Sequence, residues 1–206
     1  MALVLDTSTP AVSAGLVRVD SAVEVLAERV VVDGRRHGEL LAVGVREVLL
    51  AGVPDVVVVG VGPGPFSGLR VGIMTAVSFG DARGIAVLGV CSLDGLAAPS
   101  TGVVTDARRK EVYWAAYDSA GERSDGPHVT APQEAQAALK ELRVVGAGAL
   151  MYGFATADEP RYPSVATLAE IAVRQHLAGD APLALTPLYL RRPDATEPGA
   201  AKRVTA

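Results

Sequence analysis

The sequence predicts an α/β fold of two lobes, each combining a mixed sheet with helices. Half of the 206 residues are hydrophobic and 20% are charged, so the chain can bury a substantial core. Segments with strand and helix periodicity alternate along it. A strand that ends in an aspartate, followed by a turn and another strand, occurs near the start and again from residue 102. These observations predict two related lobes.

The first lobe begins with three apolar strands joined by short links, which imply an antiparallel meander. From His37 to Gly52 the apolar positions then fall on one helical stripe. Residues 55–60 are almost wholly apolar, as in a strand buried on both faces of a mixed or parallel sheet. The remaining predicted elements are strands at 2–5, 12–19, 22–32 and 85–90, a helix over 67–81 and a short helix capped by Ser92.

The second lobe repeats this opening. Residues 102–106 form a predicted strand ending in an aspartate, and residues 111–117 alternate with Val112, Trp114 and Ala116 on one face. A helix near 132–140, a strand at 142–146 and a helix near 164–178 complete it. The first lobe's order, β-β-β-α-β-α-β-α, is that of the ribonuclease-H-like unit, which actin-like ATPases use twice. We therefore predict lobes at 1–98 and 99–206, with a mobile tail after about Asp194.

Composition disfavours several classes of protein. The formal net charge is −4, and the basic pairs are short and not interleaved with aromatics, so the chain is not expected to hold RNA alone. The single cysteine, Cys91, excludes an internal disulfide and a cysteine metal cluster. The sequence contains neither a signal-peptide pattern nor an apolar run of about 18 residues, so a soluble cytoplasmic protein is expected.

The glycine-rich loop at 60–70 offers two interpretations. Its glycines could bring backbone amides close to a phosphate at a helix N-terminus. However, it matches neither a P-loop nor G-x-G-x-x-G, and Ser67 lacks the spacing of a hydrolase elbow. The alternative, which we favour, is a tight strand-to-helix turn with Ser67 as the helix cap.

Two helices of the first lobe carry unusual faces. A ridge of small residues at a spacing of four suits either packing on the lobe's own sheet or contact with a partner helix: Gly68, Gly72, Ala76 and Gly80. The helix 37–52 has apolar residues outside its main stripe, at Leu40, Val43 and Leu50, so a partner could cover a second face.

The predicted nucleotide site is incomplete. Asp6, Thr7 and Ser8 lie in the hairpin where actin-like ATPases hold phosphate and metal, although an Asx or Ser/Thr turn explains them equally. In the second lobe the matching hairpin, residues 106–110, carries bulky side chains that block or attract a phosphate, and the glycines at 146 and 148 are only a weak adenosine-binding turn. His37, His128 and His176 have no metal-binding spacing.

Five segments stand out, and they span nearly the whole chain in order: Leu5-Asp-Thr-Ser-Thr9, His37 with Leu40-Leu41, Gly62-Pro-Gly-Pro-Phe-Ser-Gly-Leu-Arg70-Val-Gly, Asp106-Ala-Arg-Arg-Lys-Glu-Val-Tyr113 and Pro187-Leu-Tyr-Leu-Arg191. Together they resemble the TsaB (YeaZ) family, a subunit of the complex that makes threonylcarbamoyladenosine in tRNA. Pro65 departs from the pattern, since the family more often has a small polar residue there.

The resemblance implies two actin-like lobes, no independent catalysis and no cofactor of its own. A catalytic TsaD subunit would be bound through the helices 37–52 and 67–81, and a TsaE ATPase would join. ATP and a divalent metal are expected to bind to those partner subunits. The chain is expected to contact tRNA only as part of the complex, and to form a weak homodimer when TsaD is absent. The predicted interface residues are Leu40, Leu41, Val45, Val48, Phe66, Leu69, Arg70, Ile73 and Ala76, with Asp6, Thr7 and Ser8 as a vestigial nucleotide site.

Two other functions compete with this one. An actin-like ATPase or kinase needs two phosphate hairpins and a catalytic acid, of which only Asp6 is convincing. A glycopeptidase needs a metal site that the histidine spacing does not supply.

Overall fold

The computed structural model describes residues 1–155 and 157–191, and its first sheet has the predicted antiparallel meander at one edge. Strands β1 (Ala2–Asp6), β2 (Ala11–Val19) and β3 (Val23–Val32) pair in antiparallel fashion. Strands β4 (Val56–Gly60) and β5 (Ala86–Val90) continue the sheet in parallel with β1, giving the order β3-β2-β1-β4-β5. The apolar strand β4 therefore lies between two parallel neighbours, as its composition predicts.

Helices cover both faces of this sheet. Helix α1 (His37–Val48), extended by a 3₁₀ turn at Leu49–Ala51, and helix α2 (Phe66–Arg83) pack on one face around a Leu- and Val-rich core. Helix α2 ends at Gly84, whose φ of 64° suits glycine.

The second sheet has two strands that the periodicity does not predict, one at each edge. Strands β6 (Thr101–Asp106), β7 (Val112–Tyr117) and β8 (Arg123–Thr130) are antiparallel. Helix α3 (Pro132–Ala138), strand β9 (Arg143–Val145), helix α4 (Ala147–Met151) and the short strand β10 (Ala157–Asp158) follow, giving the order β10-β9-β6-β7-β8. The predicted face of Val112, Trp114 and Ala116 is confirmed, because all three pack with the core beneath α3. The two mixed sheets with their helices confirm the α/β fold.

The chain then returns to the first lobe. Helix α5 (Val165–Ala178), capped by the Ser164 hydroxyl, covers the face of the first sheet opposite α1 and α2. The following segment, residues 181–191, is named the strap here. Its Leu183 forms a bridge with Gly89 of β5, and the Leu188 amide donates to the Val61 carbonyl. The predicted mobile tail after Asp194 lies outside the described residues. None of the helices in residues 1–155 and 157–191 is long and apolar enough to cross a membrane.

Candidate functional site

The turn after β1 is buried, and its polar atoms are engaged within the chain. Asp6 is 1% exposed. Its Oδ1 accepts hydrogen bonds from the Ser8 amide at 3.0 Å and the Ser8 hydroxyl at 2.7 Å, and its Oδ2 accepts one from the Ser92 hydroxyl at 2.6 Å. The Thr7 hydroxyl donates to the Gly68 carbonyl of α2 at 2.7 Å. The arrangement is therefore an Asx turn that joins the β1–β2 hairpin to its neighbours.

The glycine-rich loop lies directly over this turn. A Cβ added at Gly60 would collide with the Asp6 carboxylate, and one added at Gly64 would collide with the Ser8 carbonyl. One added at Gly68 would lie 2.5 Å from the Thr7 carbonyl oxygen. The space above the turn is consequently filled by the loop's own backbone, and glycine is needed for that close approach.

The small-residue ridge of α2 faces inward. Besides Gly68, added Cβ atoms at Gly72 and Gly80 would collide with Thr7 and with Val87 of β5. Ala76 is fully buried in the same core. Of the two interpretations of this ridge, the structure supports packing on the lobe's own sheet.

Two predicted helix caps are wrong. Helix α2 begins at Phe66 with Pro65 as its N-cap, and Ser67 is exposed within the first turn. The short 3₁₀ turn at Ser92–Leu96 is capped by Cys91, without a side-chain hydrogen bond. The Ser92 hydroxyl instead accepts from the Gly62 amide at 3.1 Å while donating to Asp6. It joins the glycine loop, the first strand and the connection between the two sheets.

The burial of Asp6 has a testable consequence for stability. Burial disfavours the charged carboxylate and raises the pKa of Asp6 above 3.8, against the opposing effect of the hydrogen bonds from Ser92 and Ser8. At pH values above 3.8, Asp6 therefore remains protonated more often in the folded state than in the unfolded state. The free energy of unfolding therefore falls with rising pH in that range.

We expect the isosteric variant Asp6→Asn to lack this contribution. Urea unfolding of both proteins between about pH 4.5 and 7.5 should show wild type losing stability relative to the variant as the pH increases. The opposite trend would show that the folded state stabilises the charged carboxylate, as a ligand of a bound cation would be.

The corresponding turn in the second lobe is closed by its own side chains. Asp106 accepts hydrogen bonds from the Arg108 amide at 2.9 Å and the Tyr152 hydroxyl at 3.1 Å, and it pairs with the Arg108 guanidinium at 3.4 Å. Arg108, Arg109 and Lys110 all have φ between 53° and 63°, a conformation costly for non-glycine residues. The two hairpins thus differ. The backbone of the glycine-rich loop fills the space over Asp6, whereas the Arg108 guanidinium lies beside Asp106.

His37 and His128 make different contacts. His37, the first residue of α1, contacts the Thr9 carbonyl through Nε2 at 2.9 Å, and since a carbonyl can only accept, Nε2 carries the proton. His128 pairs with Asp125 at 2.7 Å and packs on the Trp114 ring. Within the part of the chain that the structure describes, no three His, Cys, Asp or Glu side chains are grouped as metal ligands.

The residues predicted to contact a partner divide into two sets. Leu40 is half-buried, whereas Phe66, which is 54% exposed, and Arg70 lie at the surface. The other six belong to the core between α1, α2 and the sheet, where a docking subunit cannot reach most of their surface: Leu41, Val45, Val48, Leu69, Ile73 and Ala76. Their apolar periodicity therefore reports the chain's own core.

An open apolar groove nevertheless runs between α1 and α2, with a volume of about 550 Å³. Val45 forms part of its lining, and Met74, which is 58% exposed, is the large hydrophobic side chain at its surface. Met74 was not among the predicted residues, although it follows Phe66 and Arg70 at the helical spacing of four. The remaining lining residues are Ala42, Thr75, Ser78 and Phe79.

Comparisons with known proteins match the chain to one family. A family model described as TsaD, tRNA N6-adenosine threonylcarbamoyltransferase, matches residues 32–147, more than half of the 206 residues. An uncharacterized protein of Mycobacterium tuberculosis is 48% identical over 202 residues, which cover 94% of this chain and 92% of that one. Another from Mycobacterium leprae is 45% identical over 205 residues, covering 94% of this chain and 55% of that longer one.

Solved structures agree with this match. YeaZ from Pseudomonas aeruginosa has a TM-score of 0.74 and 26% identity, over 91% of this chain and 99% of that one. A second Pseudomonas aeruginosa structure, described as similar to peptidase YeaZ, has a TM-score of 0.75 and 26% identity, over 92% and 99%. These neighbours have the two-lobed actin-like fold that the element order predicts. The match to the TsaD family model is consistent with the YeaZ neighbours, and the chain belongs to the TsaB (YeaZ) family.

Proposed function

We propose that this chain is a non-catalytic partner subunit of the complex that forms N6-threonylcarbamoyladenosine in tRNA, and that it binds and activates a TsaD-type catalytic subunit. The observation that carries the proposal is the groove between α1 and α2. An exposed apolar surface rimmed by polar residues is typical of a protein–protein interface. The exposed side chain of Met74 lines this groove, and Phe66 is exposed on the same face of α2.

The TsaD family model favours a TsaD-type subunit as the occupant. The matched range, 32–147, includes both α1 and α2, so a TsaD-type subunit carries a related helix pair. Two related helix pairs can pack about an approximate two-fold axis, as in most dimers of like folds. The same surface would support a weaker homodimer when the catalytic subunit is absent.

The two closed hairpins support a subunit without its own nucleotide chemistry. Both Asp6 oxygens accept hydrogen bonds from within the chain, and the glycine loop fills the space beside them. ATP and a divalent metal are then supplied by the partner subunits, including a TsaE-type ATPase, and tRNA is held by the assembled complex in the cytoplasm. Activation requires that the chain bind the active conformation of the catalytic subunit more tightly than the inactive one.

Light scattering after size exclusion tests the proposal. The chain mixed with the TsaD-type subunit of the same organism should elute as a 1:1 heterodimer, and the chain alone as a monomer–dimer mixture that depends on concentration. Threonylcarbamoyl transfer to tRNA should require both proteins, and the chain alone should show no turnover. Hydrolysis of ATP or of a glycoprotein by the pure chain, or the absence of any complex, would contradict the proposal.

A further inference from the structure

The start of α2 carries a stacked cluster at the surface. The Phe66 ring stacks on Tyr189 of the strap, with ring centroids 5.1 Å apart and planes 15° from parallel. The Arg70 guanidinium carbon lies 5.2 Å from the centroid of the same Phe66 ring. Phe66 and Tyr189 are 54% and 44% exposed, so the cluster faces solvent. We name Phe66, Arg70 and Tyr189 the aromatic–arginine cluster.

Arg70 forms no ion pair among the described residues, as is also true of Arg35, Arg46 and Arg83, whereas the other three arginines of the first lobe do. Arg18 pairs with Glu24, Arg29 with Glu47 and Arg36 with Glu39, at 2.5–2.8 Å. A cation in the N-terminal half of a helix also gains nothing from the helix dipole. Neither pairing within the chain nor helix stability therefore explains a stacked arginine at this position.

The strap holds the aromatic part of the cluster in place. It is fixed on one side of Tyr189 by the Leu188 amide, which donates to the Val61 carbonyl at 2.8 Å, and on the other by an ion pair between Arg191 and Glu111. Leu188 and Leu190 pack against the second-lobe core. Because the strap is anchored at these points, Tyr189 limits the positions open to Phe66, and Phe66 in turn limits those of Arg70.

The cluster continues the proposed interface. Phe66, Arg70, Met74 and Ser78 follow one another at a spacing of four, so they share one face of α2, and the last two line the groove. Arginine and tyrosine are enriched among interface hot spots, and the cluster places one of each beside the proposed interface. A guanidinium held by stacking loses less freedom when it forms a two-pronged contact with a carboxylate.

We propose that Arg70 is a preorganised receptor for an Asp or Glu carboxylate of the TsaD-type subunit, positioned through Phe66 by Tyr189 of the strap. This rests on the proposed function, because it assumes that the catalytic subunit docks on α1 and α2. A protein carboxylate is favoured over an RNA phosphate because the cluster adjoins an apolar groove and the chain carries a net charge of −4.

The test is the dissociation constant of the heterodimer, measured by calorimetry. Arg70→Met should raise it at least about tenfold, and Arg70→Lys nearly as much, because lysine cannot form the planar two-pronged contact. Tyr189→Leu should raise it about threefold to tenfold, as expected for a positioning residue. Arg143→Met is the control, since Arg143 is an exposed arginine on β9 of the second sheet and belongs to neither α1, α2 nor the groove lining.

The acceptor is then identified by substituting exposed Asp and Glu residues of the catalytic subunit one at a time with Asn and Gln. One of these changes should weaken the wild-type complex but cause no further loss with Arg70→Met, because both remove the same contact. Equal losses with Arg70→Met and Arg143→Met, or additive losses for every partner carboxylate, would overturn the proposal.

Two further outcomes separate this inference from its alternatives. A wild-type chain that forms no heterodimer refutes the proposed function itself. A heterodimer whose dissociation constant is unchanged by Arg70→Met refutes only the carboxylate receptor. If that variant complex also binds tRNA more weakly, Arg70 contacts an RNA phosphate instead.

Discussion

Replacing Met74 by glutamate should abolish the heterodimer and leave the chain folded. Met74 is 58% exposed beside the groove, so a carboxylate there stays hydrated in the free chain. In the complex the same carboxylate would be buried against apolar groups without a partner, which costs several kcal/mol. We expect the dissociation constant to rise at least about 100-fold. Calorimetry with the TsaD-type subunit measures it, and thermal unfolding of the free variant should be nearly unchanged.

The chain supplies a matched control in Met151. This methionine is 62% exposed on α4 of the second lobe, away from the groove. Met151→Glu introduces the same charge in a similar environment and should leave the dissociation constant within about twofold of wild type. Equal weakening by both variants would indicate a general charge effect, and no weakening by either would move the interface elsewhere on the surface.

The choice of Met74 shows where sequence periodicity stops being informative. The stripe of Leu41, Val45 and Val48 predicts a helix with a buried face, and α1 has it. Periodicity does not distinguish burial in the chain's own core from burial under a partner, because both require apolar side chains at the same spacing. A variant such as Leu41→Glu would therefore place a charge in the core and unfold the chain instead of testing the interface.

The elements with clear patterns could be predicted, and those without could not. Apolar runs or alternation predict β1, β2 and β4 to β7, because one or both faces of each of these strands are buried. Strand β3 is predicted from its valines, although none of its residues is fully buried. Strand β8, Arg-Ser-Asp-Gly-Pro-His-Val-Thr, is polar because it lies at an edge of its sheet with one neighbour, so its sequence resembles a loop. Helix α4, with five residues, is too short to show a helical period.

The candidate site could be predicted by position but not by role. Asp6 at a strand end and the glycines of the loop mark the correct region, yet the same residues suit a phosphate site or a closed turn. Contacts between residues that are distant in sequence decide between a phosphate site and a closed turn. One of these is the hydrogen bond from the Ser92 hydroxyl to Asp6 at 2.6 Å. Tyr189 shows the same limit, since nothing in the strap's sequence indicates that it stacks on Phe66.

Because α2 lies so close to the β1–β2 hairpin, two similar glycine-to-alanine substitutions should change the free energy of unfolding in opposite directions. Gly68 and Gly38 both lie in the first turn of a helix, where alanine is intrinsically favoured over glycine by up to about 1 kcal/mol. A Cβ at Gly38 would meet nothing within 4 Å, so Gly38→Ala should raise the free energy of unfolding slightly.

Gly68→Ala should instead be strongly destabilising. Its Cβ would lie 2.5 Å from the Thr7 backbone carbonyl oxygen, which cannot rotate away as a side chain could. Helix α2 must move outward, at a cost of about 1–3 kcal/mol or more despite the gain in helix propensity. That movement also displaces Phe66 and Arg70, so the dissociation constant of the heterodimer should rise with the loss of stability. Urea unfolding measures the first effect and calorimetry the second. Gly68→Ala with wild-type stability but a weakened complex would mean that the small-residue ridge serves the partner and not the chain's own sheet.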